Sequence, residues 1–237
     1  MLSRREAELC AVGCVCGAVI TALAPRVRHL FSRRVALKRR ELPSSPHELF
    51  QRWLREAEAR DGVRARALVL ATSAPDDGAT ARYVLPHSFG DPIILGTNIR
   101  SQKARQLLVD GRCELVWRDG DRQVRIRGTA IVAGAADARS LQTFANLAPP
   151  RRWGVELLDQ GRPIDDEAHD ALLRRYETEF NPNNLTACPD NFTAVAVTPA
   201  TIEFFQGGHP AYINDRFLYV RDQADPTTFN LLARLQA

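Results

Sequence analysis

Apolar side chains recur with different periods along the chain, and each period predicts a kind of secondary structure. Residues 46–60 repeat apolar positions every three or four residues, which predicts an amphipathic helix. Ser45 and the following Pro46-His47-Glu48 have the spacing of a capping box with proline at the first helical position, so the helix is expected to begin there. The apolar stripe of this helix consists of Leu49, Phe50, Trp53, Leu54 and Ala57.

After residue 66 the pattern changes to short apolar runs separated by turn residues, which is typical of β-strands. Pro75-Asp76-Asp77-Gly78 supplies one turn, and Arg118-Asp119-Gly120-Asp121 predicts a hairpin. The predicted strands cover residues 67–72, 79–85, 92–97, 113–117, 123–132, 192–197, 202–205 and 212–220.

Three further helices are expected between these strands. Ser101 is placed to cap a short helix in which Ala104, Leu107 and Leu108 face inward. Residues 136–147 and 165–180 form the other two helical patterns. Because strands dominate and are mostly joined by short turns, we expect an antiparallel sheet closed into a barrel with helices packed outside it. The fold class is therefore mainly β with flanking helices.

Composition supports one folded domain. The chain has 237 residues, of which 25% are charged and 45% hydrophobic, so low-complexity and disordered classes are excluded. No stretch reaches the roughly 18 uninterrupted apolar residues of a membrane span, which excludes a polytopic membrane protein. The net charge of +4 suits an anionic small molecule such as a phosphate and is too small to indicate nucleic acid.

The first 41 residues differ in composition from the rest and are expected to form an extension before a domain at residues 42–237. Cys10, Cys14 and Cys16 crowd this segment without the spacing of a zinc site, so no metal is predicted and reduced thiols in the cytoplasm are expected. The apolar run at residues 10–24, flanked by arginines, leaves two interpretations open. It is either a poorly ordered tail or an organelle-targeting or membrane-associated segment.

The residues themselves indicate two candidate ligand sites. Thr97, Ser101 and Lys103 surround a strand-to-helix junction, where hydroxyls, a cation and backbone N–H groups are suited to phosphate. The alternative is that Ser101 only caps the helix and Lys103 is solvated. A second polar face comes from Gln123, with Arg125 and Arg127 alternating after it, and it is either ligand-facing or simply solvated.

Five segments in this order resemble the pyridoxamine 5′-phosphate oxidase family: residues 82–85, 97–103, 122–124, 202–207 and 215–219. The resemblance covers roughly residues 42–237. It implies an FMN-binding split β-barrel that forms a homodimer with FMN in clefts between the subunits. It also implies oxidation of pyridoxamine or pyridoxine 5′-phosphate by O₂, which makes pyridoxal 5′-phosphate.

The same resemblance assigns cofactor-binding roles to individual residues. Thr97, Ser101 and Lys103 are similar to the phosphate cradle, and Gln160 with Gly161 is similar to a segment supplied by the partner subunit. The remaining implied FMN-binding residues are Arg82, Tyr83, Val84 and Leu85 along the flavin, Gln102 beside the cradle, Gln123 at the flavin edge, and Phe205 and Arg216 near the ring.

Several positions depart from the family pattern. Gln102 replaces an arginine, Phe205 replaces a tryptophan and Gly96 replaces a tyrosine. On the substrate side, His87 stands where the family has lysine and is either an acid or base at the flavin or an exposed turn histidine. The other changed substrate positions are Thr143, Leu147, Arg151, Tyr212 and Asn214.

These departures leave three hypotheses. The first is an FMN-dependent oxidase of pyridoxamine or pyridoxine 5′-phosphate. The second keeps FMN and O₂ but takes a different small molecule, as the phenazine-pathway relatives do. The third is a non-catalytic flavin-binding protein. Because a phosphate ester needs several charged partners, we expect activity on pyridoxamine 5′-phosphate to be weak or absent.

Overall fold

The structure, a computed structural model, describes residues 36–183, 187–208 and 211–236. Its helices are α1 (Pro46–Asp61), α2 (Gln102–Val109), α3 (Ala138–Ala145), α4 (Pro149–Leu157) and α5 (Asp166–Glu179). Its strands are β1 (Leu68–Ala74), β2 (Gly78–Val84), β3 (Ser88–Phe89), β4 (Ile93–Asn98), β5 (Arg112–Asp119), β6 (Arg122–Val132), β7 (Phe192–Gln206), β8 (Asp215–Arg221) and β9 (Phe229–Arg234).

All strand pairs are antiparallel, and the main sheet has the order β2-β1-β5-β6-β7-β4-β3. The two ends of this order meet because residues 85–87 connect β2 directly to β3. The backbone N–H of His87 donates to the carbonyl of Ile94 on β4, at 2.8 Å, which continues the β3–β4 pairing toward this connection. The short connection holds the two ends of the sheet near each other, so the sheet curls into a barrel, and β8 and β9 extend it beyond β7. This confirms the predicted fold class.

The apolar stripe of α1 covers the barrel core, as its spacing predicts. Phe50 packs edge-on against Trp117 with ring centroids 5.7 Å apart, and Trp53 does the same with Phe204 at 5.4 Å. All four side chains are buried. Such edge-to-face pairs add to the gain from burying the rings. The predicted capping box does not form, since Ser45 makes no side-chain bond to the helix; α1 instead starts with proline in its first turn.

The strand pattern was divided wrongly near residue 199. The runs at 192–197 and 202–205 are one continuous strand, β7, because the chain passes Pro199 at a register shift opposite Gly128. A Cβ on Gly128 would lie 2.1 Å from the carbonyl oxygen of Thr198, so only glycine fits there. The short elements β3, β9 and α4 were not predicted, because they carry little periodicity of their own.

The domain boundary at residue 41 stays a prediction, and part of the segment before it contacts the barrel. Leu37 is 8% exposed within the core cluster, and its backbone N–H donates to Asp215 Oδ2 at 3.0 Å. Leu37 thus packs on the barrel, whereas residues 38–41 are exposed. The three N-terminal cysteines and the apolar run at residues 10–24 lie outside the described residues. Within the described ranges, no helix combines the length and apolar character that a membrane crossing requires.

Candidate functional site

A polar cradle forms where β4 ends and α2 begins. Lys103 Nζ donates to Thr97 Oγ1 at 3.0 Å, and Thr97 Oγ1 lies 3.2 Å from Ser101 Oγ. Ser101 also caps α2 by accepting from the backbone N–H of Ala104. Ser101 therefore does both things that the sequence suggested: it caps α2, and it lies in one polar group with Thr97 and Lys103. Two buried hydroxyls and a half-buried ammonium here make a donor set that suits an anion.

Two causes lower the pKa of Lys103 to about 8. Burial disfavours the charged form most, and the positive charge of Arg82 adds to the effect. Arg82 comes from β2, and the helix that carries Lys103, α2, bonds to β1 and β2 through Gln106, so this packing brings the two cations near each other. An anion placed between them would stabilise the protonated lysine.

Arg82 is held in place by its neighbours on β1 and β2. Its Nη1 donates to Thr72 Oγ1 at 2.6 Å and to the carbonyl of Leu70 at 3.1 Å, and its Nη2 donates to Thr80 Oγ1. The chain after Arg82 alternates between solvent and interior, with Tyr83 79% exposed and Val84 packed against the core. Leu85 is half-buried.

A cavity of about 880 Å³ opens beside the cradle. Its lining includes Thr97, Gln160, Gly161, Leu147 and Arg151. It thus combines residues predicted separately for cofactor and substrate. The volume lies within the range of sites that hold a cofactor or drug-sized ligand.

Gln160 reaches the cradle within its own chain. Thr97 Oγ1 lies 3.4 Å from Gln160 Oε1, and Asn98 Nδ2 donates to the carbonyl of Leu158 at 3.3 Å, which ties the loop to β4. Gln160 thus lies near the cradle of its own chain, and its implied role as a residue supplied by a partner subunit stays a prediction. The loop folds back over its own strand because Arg100 also pairs with Asp159, at 3.5 Å.

Two predicted ligand residues face elsewhere. Gln102 is exposed and donates to both carboxylate oxygens of Asp77 at 3.1 Å, so it points away from the cradle. Thr143 is 2% exposed, and its methyl group lies beneath Gly96 rather than in the cavity. A Cβ on Gly96 would come within 2.8 Å of the Phe192 ring, which explains why this chain has no tyrosine there.

A second group of predicted residues forms a row across three strands. Gln123 on β6 is paired with Phe205 on β7, which is paired with Arg216 on β8. Residues paired directly in this way share one face of the sheet. None of the three is among the cavity-lining residues.

Beside this row, charged residues of alternating sign form a network. Arg216 binds Glu203 through two nitrogens, at 2.9 and 3.0 Å, and Arg125 approaches Glu203 at 3.6 Å. Arg125 and Arg127 both bind Glu114, at 2.5 and 2.8 Å. The polar face of β6 is thus satisfied by ion pairs rather than only by solvent.

Three of the changed substrate-side positions, His87, Tyr212 and Asn214, which are the candidate catalytic residues, do not contact one another in the described part of the chain. His87 lies 3.5 Å from Asn146 Nδ2 and lines a smaller cavity of about 340 Å³ with Arg55. Tyr212 is 83% exposed with a positive φ of 56°, and Asn214 is half-buried just before β8. No hydrogen bond or ring contact among the described residues links His87 to either of them.

Two polar residues that organise these sites, the buried Gln106 and the half-buried Glu203, were not predicted from the sequence. Gln106 is 1% exposed on α2, whereas Leu108, predicted to face inward, is 60% exposed. Glu203 was not selected either, although it stands opposite Arg125 in the β6–β7 register. The only sequence signal for either was a polar residue inside an apolar pattern.

Comparison with known proteins gives sequence similarity to one family. The sequence model of the family described as "Pyridoxamine 5'-phosphate oxidase" matches residues 56–168. A pyridoxine/pyridoxamine 5′-phosphate oxidase from Bacteroides thetaiotaomicron is 35% identical over 188 residues, covering 77% of this chain and 86% of the relative. A protein of the same name from Gluconobacter oxydans is 30% identical over 186 residues, covering 77% and 91%.

Two solved structures share the fold. PhzG from Burkholderia lata 383, in complex with tetrahydrophenazine-1-carboxylic acid, has a TM-score of 0.70 at 23% identity and covers 86% of this chain and 98% of its own. A pyridoxamine 5′-phosphate oxidase-related, FMN binding protein from Nostoc punctiforme has a TM-score of 0.66 at 18% identity and covers 83% and 100%. At these identities the likeness establishes the split-barrel architecture.

Proposed function

Since the chain belongs to the pyridoxamine 5′-phosphate oxidase family, we propose that it is an FMN-dependent oxidoreductase. It would oxidise a small molecule with O₂ as the electron acceptor. The observation that carries this proposal is the cradle of Thr97, Ser101 and Lys103, which meets the large cavity at Thr97. The family relatives named above supply the chemistry that we assign to it.

The cradle suits the phosphate of FMN. Thr97 is 8% exposed and Ser101 2%, so their hydroxyls are largely withdrawn from water, and Lys103 is next to them. Buried polar groups of this kind gain most from a ligand that hydrogen-bonds them. Arg82 adds a second positive charge near Lys103, and Gln102 leaves the site without the arginine that the family has at that position. The donor set therefore fits a dianionic phosphate monoester.

Bound FMN would accept two electrons from the substrate and pass them to O₂. The chain's own residues would bind FMN and orient the substrate. Lys103, Ser101 and Thr97 hold the phosphate, and Gln160 closes the cavity over Thr97. Arg151 lines the cavity and offers a cation to an anionic substrate.

For the substrate, we propose pyridoxamine or pyridoxine 5′-phosphate as the family reaction, with reduced efficiency. A second candidate is a less negatively charged molecule. The side chain of Leu147 favours this second candidate. Leu147 lines the cavity with an alkyl chain, whereas the family pattern has a cation at this position. Removing a charged partner costs about 1.5–3 kcal/mol, so a dianionic substrate loses more than a neutral one.

A homodimer is part of the proposal. Its support is the row of Gln123, Phe205 and Arg216, which faces away from the cavity of its own chain. In a dimer, this face of one subunit would complete the cavity of the other. Sedimentation of the flavin-loaded protein tests this, and a monomer that retains one FMN per chain would contradict it.

The main test is spectroscopic. The purified full chain should show flavin absorption and release FMN on denaturation. Pyridoxamine 5′-phosphate, pyridoxine 5′-phosphate and uncharged analogues are then added without O₂, and loss of the absorption band identifies substrates. Return of the band on adding O₂ identifies the acceptor. A flavin band that no candidate bleaches would favour a non-catalytic flavoprotein, and the absence of bound or bindable FMN would contradict the proposal.

A further inference from the structure

Gln106 is a buried glutamine at the centre of a hydrogen-bond group behind Arg82. Its Oε1 accepts from Thr72 Oγ1 at 2.5 Å and from Thr80 Oγ1 at 2.8 Å. Its Nε2 donates to Asp77 Oδ2 at 2.8 Å and to the carbonyl of Gly78 at 3.3 Å. With all of these bonds made, the side-chain amide of Gln106 has one fixed orientation.

That orientation determines what the two threonines can do. A hydroxyl group has a single proton to donate and lone pairs to accept with. Because Thr72 and Thr80 both donate to Gln106, their lone pairs remain to accept from Arg82. Nη1 of Arg82 donates to the hydroxyl oxygen of Thr72 at 2.6 Å, and Nη2 donates to the hydroxyl oxygen of Thr80.

We propose that Gln106 is a positioning residue for anion binding, which acts through Thr72 and Thr80 to hold the Arg82 guanidinium beside Lys103. This inference rests on the proposed function, since it takes the anion to be the FMN phosphate. Gln106 itself does not touch the ligand. Its effect is to make the two threonine hydroxyls acceptors for the arginine.

The side chain at position 106 has to be a neutral amide for this role. An alkyl or thioether side chain offers no comparable acceptor to the two hydroxyls, which are then free to turn away from Arg82. A carboxylate would stand against Asp77, now 2.8 Å from Nε2. The amide alone accepts from two hydroxyls and donates to an acid.

The experiment compares FMN with riboflavin, which lacks the phosphate. Dissociation constants are measured by fluorescence quenching for the wild-type full chain and for Gln106→Met, which keeps the side-chain volume. Gln142→Leu serves as control, because Gln142 is exposed on α3. We expect Gln106→Met to weaken FMN binding by about 10-fold or more, in line with losing a charged hydrogen bond. Riboflavin binding and the control variant should be unchanged.

A double-mutant cycle tests the route through Arg82. In an Arg82→Ala background, Gln106→Met should have little further effect on FMN binding, because both changes remove the same contact. Thr80→Val should act in the same direction as Gln106→Met and more weakly, and it gives a second variant if Gln106→Met does not fold.

The possible results separate the two proposals. Wild-type protein that fails to bind FMN would overturn the proposed function. Wild-type protein that binds FMN, together with Gln106→Met and Thr80→Val variants of unchanged affinity, would overturn only the role of Gln106. Equal weakening of FMN and riboflavin, or full additivity with Arg82→Ala, would also overturn it, since both results describe a general packing role.

Discussion

Arg216 Nε and Nη2 each donate to one carboxylate oxygen of Glu203, at 2.9 and 3.0 Å. The guanidinium is therefore held in a fixed orientation on the sheet face, next to Phe205 in the same row. A bidentate arginine–carboxylate pair has more geometric definition than a single contact. The position of this arginine is thus set before any ligand binds.

Glu203→Gln should lower the stability of the folded protein. The change leaves Arg216 and Arg125 facing a neutral amide, and their mutual repulsion is no longer offset. We expect a loss of about 1–3 kcal/mol in the free energy of unfolding, measured by urea denaturation. Glu177→Gln on α5 is the matched control, because Glu177 is exposed and away from this network. Equal effects of the two changes would contradict the prediction.

Lys103→Ala should weaken FMN binding. The side chain is the cation of the cradle, and removing a charged hydrogen-bond partner costs about 1–3 kcal/mol, or about 5-fold to 160-fold in affinity. Fluorescence titration with FMN measures it. Lys38→Ala, at the chain's other lysine, should leave the affinity at the wild-type value. Unchanged binding by Lys103→Ala would defeat the assignment of the cradle.

The affinity for FMN should fall as the pH rises through about 8. Burial, helped by Arg82, lowers the pKa of Lys103 to about 8, and only the protonated form attracts the phosphate. The stability of the protein without FMN changes with pH in the opposite direction to the FMN affinity. Between about 8 and the ordinary lysine pKa of 10.5 the unfolded chain binds more protons, so this group makes the apoprotein more stable as the pH rises.

Titrations with FMN on both sides of pH 8 test this dependence. Lys103→Arg provides the comparison, because an arginine stays charged throughout this range. Its affinity should change little with pH. A wild-type profile as flat as that of Lys103→Arg would show that Lys103 does not titrate near 8.

Sequence reasoning found the parts of the site that lie close together along the chain. Thr97, Ser101 and Lys103 span one strand-to-helix junction, so local pattern was enough to group them. Arg82 joins them only because α2 packs against β1 and β2, and its role came from the family resemblance. Gln106 was missed, since a buried glutamine depends on partners on other strands. The orientation of Gln102 toward Asp77 was hidden for the same reason.

Turnover of pyridoxamine 5′-phosphate should be weak and should rise in Leu147→Arg. The new cation would face the same cavity as Arg151, where an anionic substrate gains about 1.5–3 kcal/mol from a charged hydrogen bond. That corresponds to an increase in kcat/KM of about 10-fold or more. The measurement is a steady-state assay of the wild type and of the Leu147→Arg and Leu147→Met variants. Robust wild-type turnover would contradict the expected divergence.

Removing residues 1–40 should destabilise the barrel more than removing residues 1–35. The longer deletion takes away Leu37, which is 8% exposed in the core and bonded to Asp215. Loss of a buried leucine side chain costs about 2–5 kcal/mol. Thermal unfolding of the two truncated proteins gives the difference, and identical midpoints would show that residues 36–40 are dispensable.

Side chains at positions 96 and 192 compete for the same space. The Phe192 ring fills the space that a side chain at position 96 would need, and it rests edge-on against Phe144 at 5.4 Å. Substitutions at these two positions are therefore interdependent: a larger residue at 96 is accommodated only with a smaller one at 192. Among related chains the two sites should vary as a pair, and an exchange of bulk between them would move an aromatic group from one strand of the cavity wall to the other.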